Sequence, residues 1–131
     1  MKLAKSAVLF LLFSGLIIAF LFIYSEKLTN QAANQSVNQQ NQENTVRAFW
    51  SAIENNNLNA AAKLVDLKQI NQGRYAKNIE QYLQTLKKVN AQRLHFTANE
   101  SRVTVYSDEY NMDYDLEKSK DGKWLIVSIH P

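Results

Sequence analysis

The chain has 131 residues, of which the first 43 or so read as anchor and tether, so the remainder suffices for one domain with a modest core and not for two. A net charge of +3 is too mild to signal nucleic acid, and within Asn44–Pro131 twelve Lys or Arg face ten Asp or Glu, leaving the folded part close to neutral. With no cysteine, disulfides, thiol chemistry, zinc knuckles and a lipidated cysteine all drop out.

Ser6 to Ser25 is an uncharged run of twenty residues (SAVLFLLFSGLIIAFLFIYS). At about 1.5 Å per helical residue it spans about 30 Å, the thickness of a bilayer's hydrocarbon core. A cleavable signal peptide needs a shorter apolar core and a small-x-small site soon after it. Here the core is longer, and the nearest small pair, Ala32-Ala33, lies well beyond it. Residues 1–27 are therefore expected to be a retained membrane anchor, with a cleaved signal, and hence a secreted or periplasmic product, as the competing reading. Lys2 and Lys5 precede the span, which by the positive-inside rule puts the N-terminus in the cytoplasm and the rest outside a cytoplasmic (inner) membrane. Residues 28–43 are rich in Asn and Gln, and almost nothing in them can be buried, so they read as a linker. Ala32, Ala33 and the glutamines also permit a helical extension of the anchor.

The domain is expected over residues 44–131. Val46, Phe49, Trp50 and Ile53 fall at i, i+3, i+4 and i+7, the stripe of an amphipathic helix with two large aromatics facing a core. The Asn55-Asn56-Asn57 run breaks it, Asn57 caps a short second helix with Leu58, Ala61, Leu64 and Val65 on its apolar face, and a turn leads to Gly73. Tyr75, Ile79, Tyr82, Leu83 and Leu86 predict a third helix from about Gly73 to Val89.

After Asn90 the period becomes two. Leu94 and Phe96, Val103 and Val105, then Tyr110, Met112, Tyr114 and Leu116 alternate with polar residues, as in strands with one buried face. Lys123 to Ile129 is apolar on both phases, as for a strand covered on both sides or rimmed by a partner. Turns at Asn99-Glu100, Ser107 to Glu109 and Lys120-Asp121-Gly122 are too short for crossovers, so the four strands form an antiparallel meander and the fold class is α+β.

The opening TVRAFWSAIENNNLNAAAKLV and the closing VTVYSDEYNMDYDLEKSKDGKWLIVSI resemble the nuclear transport factor 2-like superfamily, in particular its small bacterial members of unassigned function. That resemblance implies a curved sheet and helices enclosing a cone-shaped pocket, which some members use for catalysis and many for binding or assembly. An anchor followed by such a domain also resembles, in a shorter chain, the inner-membrane assembly component of type IV secretion and conjugation machines.

An acid-base group of the kind the enzymatic members carry would draw on His95, Tyr106, Asp113 and Asp115. These sit in the polar phase of their strands, the solvent side, so no catalytic residue is assigned. His130, before the final Pro131, reads as a frayed end. Asp113, Asp115 and Glu117 project the same way but stand about 7 Å apart per step, too wide for one ion, so neither a metal nor a cofactor is expected. Between Lys63 and Arg93 seven basic residues face two acidic ones, and between Glu100 and Asp121 seven acidic face three basic. This polarity suits either solubility or docking on anionic lipid and charged partners.

These features describe a non-enzymatic, membrane-anchored accessory or assembly module outside the cytoplasm, binding another envelope protein or a small ligand. A homo-oligomer is compatible with it and nucleic acid is not. The rival is an enzyme or small-ligand carrier using the pocket, with Tyr75, Tyr82, His95 and Tyr106 as its polar lining.

Overall fold

A computed structural model describes residues 2–70 and 78–131, so Gly73, Tyr75 and the expected start of the third helix lie outside the described residues. One compact unit ends at Ser36 and a second comprises Val37–Pro131. Helix α1 (Lys2–Glu54) supplies the first unit entirely and opens the second.

In the first unit the large apolar side chains described between Val8 and Ile23 are 54–73% exposed around the whole helix. Burying such side chains is worth about 1.5–3 kcal/mol each, so water is the wrong solvent for this surface. This helix is long and apolar enough to cross a membrane. Its few polar atoms are satisfied locally: the Ser14 hydroxyl donates to the Leu11 carbonyl (3.0 Å) and that of Ser25 to the Phe22 carbonyl (2.9 Å). Residues 28–43, read as a linker, are helical as part of α1. They contain no Gly or Pro to stop a helix, and Ala and Gln favour one.

The second unit is built on the last turns of α1. Val46, Phe49, Trp50 and Ile53 are all buried, as their spacing predicts, and Gln42 joins the same face one turn earlier. The second unit thus reaches into the tract read as linker. Asn56 ends the helix at φ 58°, a left-handed conformation that Asn tolerates. The Asn57 side chain accepts from the Ala60 N–H (3.1 Å) and opens α2 (Leu58–Ala62), the expected cap.

Beyond α2 the chain departs from the expected helix. Leu64 and Val65 leave it to form a parallel bridge on Ile126: the Ile126 N–H donates to the Leu64 carbonyl (2.9 Å) and the Asp66 N–H to that of Ile126 (2.8 Å). Asp66 then caps α3 (Leu67–Ile70), its carboxylate accepting from the Lys68 and Gln69 N–H groups (3.1 and 3.2 Å), where the sequence suggested only a turn. Helix α4 (Ile79–Leu86) starts from an Asn78 cap and buries Leu83 and Leu86. A 3-10 turn at Ala91–Arg93 leads into the sheet.

The sheet comprises β1 (His95–Asn99), β2 (Arg102–Tyr106), β3 (Asn111–Lys118) and β4 (Trp124–His130), antiparallel in the order β1-β2-β3-β4. The class is α+β, with the meander and its three short turns where period two placed them. Gly122 takes φ 79° in the last turn, as Asp-Gly demands.

Val103, Val105, Tyr114, Leu116, Ile126 and Ile129 carry the buried face and meet the aromatic end of α1. The mixed phase of β4 has two causes. Asp115 pairs with Ser128 but Leu116 with Ile126, so Val127 is an extra, bulged residue that lets both Ile126 and Ile129 point inward. The outer edge of β4 is closed by Leu64–Asp66, which answers the expectation of a strand rimmed by a partner.

Phe49 packs edge-on against Trp50 (centroids 6.3 Å) and Tyr114 (5.9 Å), and Trp50 edge-on against Tyr110 (5.2 Å). Replacing Phe49 by Ala should therefore cost about 3–5 kcal/mol, read as a fall in the denaturant midpoint of the solubilised chain; a change below 1 kcal/mol would show that this contact does not anchor the core.

Candidate functional site

The four residues named as a pocket lining do not share one place. Tyr82 lies among the residues packed between helices and sheet, His95 and Tyr106 lie on the opposite, open side of the sheet, and Tyr75 is outside the described residues.

On the inner side three tyrosines converge. Tyr82 projects from α4, Tyr110 precedes β3, and Tyr114 sits on β3 and is fully buried. The Tyr110 and Tyr114 hydroxyls are 2.6 Å apart and those of Tyr82 and Tyr110 3.2 Å. Two hydrogen bonds join three hydroxyls, so Tyr110 is the central member. Burial pushes the Tyr110 phenol far above its ordinary value, reinforced by the charge that Tyr82 would carry when ionised. Burial likewise raises Tyr114 and Tyr82. No phenolate is available here as a base near neutral pH. The cluster ties α4 to β3.

Sequence reasoning placed Tyr82, Tyr110 and Tyr114 on apolar faces but did not see their hydroxyls joined through Tyr110. The spacing of four between Tyr110 and Tyr114 would have been the only signal, and it carries no information about α4.

The outer side of the sheet holds a second constellation. The register pairs Arg102 with Asp115 and Thr104 with Asp113 on adjoining strands. Arg102 Nε donates to Asp115 Oδ1 (2.7 Å), and its Nη1 donates to Asp113 Oδ2 (3.3 Å). The Thr104 hydroxyl donates to Asp113 Oδ1 (2.7 Å). His130 Nε2 lies 2.7 Å from Asp115 Oδ2. His130 is thus not a frayed end: it is the last residue of β4, directly opposite Asp113 in the ladder. Burial raises the Asp115 carboxyl, but hydrogen bonds from Arg102 and His130 outweigh this and leave it below its ordinary value.

Asp113 and Asp115 therefore occupy the solvent-side phase expected of them, and each is engaged by Arg102. Glu117 turns elsewhere and accepts from Gln69 of α3 (3.1 Å). Among the described residues no group of three His, Asp or Glu could hold a metal ion. The His130–Asp115 pair has the components of an acid-base dyad, but Arg102 already occupies the second carboxylate oxygen and competes with any proton.

His95 and Tyr106 are brought together at the first register position of β1 and β2, their rings 5.4 Å apart and tilted by 31°. They line an open concavity of about 530 Å³ with Arg93, Asn90, Asp108 and Glu109. Its rim carries both charge signs, and nothing in it is aligned as a nucleophile beside a base.

Tyr110→Phe should strand the buried Tyr114 hydroxyl and cost about 1–3 kcal/mol in chemical denaturation. Because the folded phenols are raised, their stabilisation is complete below about pH 10 and is lost as pH rises above it, so the native chain should lose stability in alkali more steeply than a Tyr82→Phe, Tyr110→Phe double variant. For Asp115 the sign is opposite: stabilisation is present above about pH 4 and disappears as pH falls through the depressed folded value. Asp115→Asn should flatten the acid limb of the stability curve, and Arg102→Ala should cost at most about 1 kcal/mol at neutral pH, since the pair is partly exposed.

Compared with protein-family models, curated proteins and solved structures, the chain matches none of them.

Proposed function

We propose that the protein is a membrane-anchored accessory or assembly module whose folded unit, of nuclear transport factor 2-like type, stands outside the cytoplasm of a bacterial-type cell and engages another envelope protein. The observation that carries the reading is the filled interior. Phe49 and Trp50 are buried at 0% and 2% exposure, with Phe96 and Trp124 packed against the same core. A pocket enzyme of this architecture needs polar groups aimed into that space. Here His95 and Asp113 lie on the other side of the sheet, and the three inner hydroxyls are spent on one another.

The apolar stretch of α1 supports the anchor, and Lys2 and Lys5 before it support an N-terminus in the cytoplasm. The outer sheet face, with its polar ladder of Thr104, Asp113, Arg102, Asp115 and His130, suits a rigid, hydrated docking surface.

The small-ligand reading rests on one observation, the open concavity beside His95 and Tyr106. Photo-crosslinking groups placed at Thr104 and Ser128 in native membranes should give discrete protein adducts. No adduct from either position, together with saturable small-molecule binding abolished by His95→Ala, would overturn the assembly role in favour of the carrier. A C-terminal reporter active only outside the cytoplasm should be active; activity of a cytoplasm-only reporter instead would overturn the topology.

A further inference from the structure

The two edges of the sheet are treated differently. That of β4 is bridged at Ile126 by the main chain of Leu64–Asp66, whereas among the described residues β1 has only β2 beside it. Sheet edges left open normally carry Lys, Pro, a bulge or an inward charge that discourages pairing. His95–Asn99 (HFTAN) has none of these.

The hydrogen-bond phase shows which groups are free. The Ser107 N–H donates to the Tyr110 carbonyl (2.7 Å) and the Leu116 N–H to the Ser101 carbonyl (2.8 Å). The odd-numbered residues of β2 therefore turn their main chain to β3, and Arg102, Thr104 and Tyr106 turn theirs to β1. Their partners Asn99, Thr97 and His95 face β2, which directs the N–H and C=O groups of Phe96 and Ala98 to the open edge.

We propose that β1 pairs antiparallel with β1 of a second copy of this chain about a two-fold axis at Thr97, joining two four-stranded sheets into one. The register is self-complementary in three ways. Phe96 falls opposite Ala98 of the second copy, so the four free main-chain groups of each edge form hydrogen-bonded pairs, and a large side chain meets a small one. Thr97 meets Thr97 in a non-hydrogen-bonded pair, and His95 meets Asn99, so no like charges oppose one another. Shifting the axis to Phe96 would place Leu94 in a hydrogen-bonded position, yet the Leu94 N–H already donates to the Ala91 carbonyl (3.3 Å). The inference stands on the sheet edge and does not require the assembly role proposed above.

The chain has no cysteine, so Thr97→Cys introduces a single thiol. In a non-hydrogen-bonded antiparallel pair the Cα atoms lie about 4.5 Å apart, within disulfide range. Mild oxidation of membranes holding the full-length variant should give a covalent dimer at least about tenfold faster than Lys88→Cys, an exposed position after α4 that collides only at random. The full chain in detergent should have the mass of a dimer. Thr97→Lys, whose side chain is exposed in the monomer, should weaken that dimer at least about tenfold while leaving the thermal melt of the monomer unchanged. Equal cross-linking at the two positions, a monomeric native chain, or a dimer indifferent to Thr97→Lys would each overturn the proposal.

Discussion

The folded unit depends on one aromatic clasp. Phe49 and Trp50 are neighbours on α1, yet they reach different partners: Phe49 packs on Tyr114 inside the sheet and Trp50 on Tyr110 at the head of β3. Rings of this size bury far more area than any aliphatic side chain nearby, and their edge-on contacts fix the angle at which helix and strand meet. The hydroxyls of the same tyrosines then bring in α4 through Tyr82. A single helical turn thus locates the sheet, and the sheet locates the remaining helix. In such an arrangement the inner side of the sheet is occupied by the scaffold itself.

The outer face shows how an antiparallel register becomes an electrostatic device. Arg102 on β2 meets Asp115 directly and Asp113 diagonally, and β4 adds His130 from the other flank. Two carboxylates side by side would repel. A guanidinium fork between them converts repulsion into a ladder whose hydrogen bonds are bidentate and directional. The face is polar, yet its side chains are held in place.

Much of this fold is legible in the residues. Period-two alternation located the first three strands and an apolar run the fourth, Asp121-Gly122 located the last hairpin, and the spacing of Val46, Phe49, Trp50 and Ile53 located the core stripe of α1. What escaped has a common physical origin in contacts that sequence spacing does not encode. The bulge at Val127 hid the phase of β4, because one inserted residue exchanges the faces of everything beyond it. Asp66 looked like part of a turn because a four-residue helix has no periodicity to display. The linker tract is polar throughout, so only helix propensity, a weak signal, spoke for its structure. His130 seemed an unsupported terminus until the ladder put it opposite Asp113. Of the residues named as one pocket lining, His95 and Tyr106 lie side by side on the outer face, whereas Tyr82 belongs to a cluster whose partners lie on another element.

The bridge between Val65 and Ile126 imposes an order on the chain's own synthesis. The segment that bridges the sheet edge is made well before the strand it bridges. Until β4 has emerged, Leu64 and Val65 have no ladder to join, and β3 stands as a temporary edge with Tyr114 and Leu116 uncovered. A nascent chain can therefore form α1 as it appears, but closure of the core waits for β4. Loss of β4 would remove the strand on which both β3 and Leu64–Asp66 close, and would leave an open sheet of the kind that aggregates.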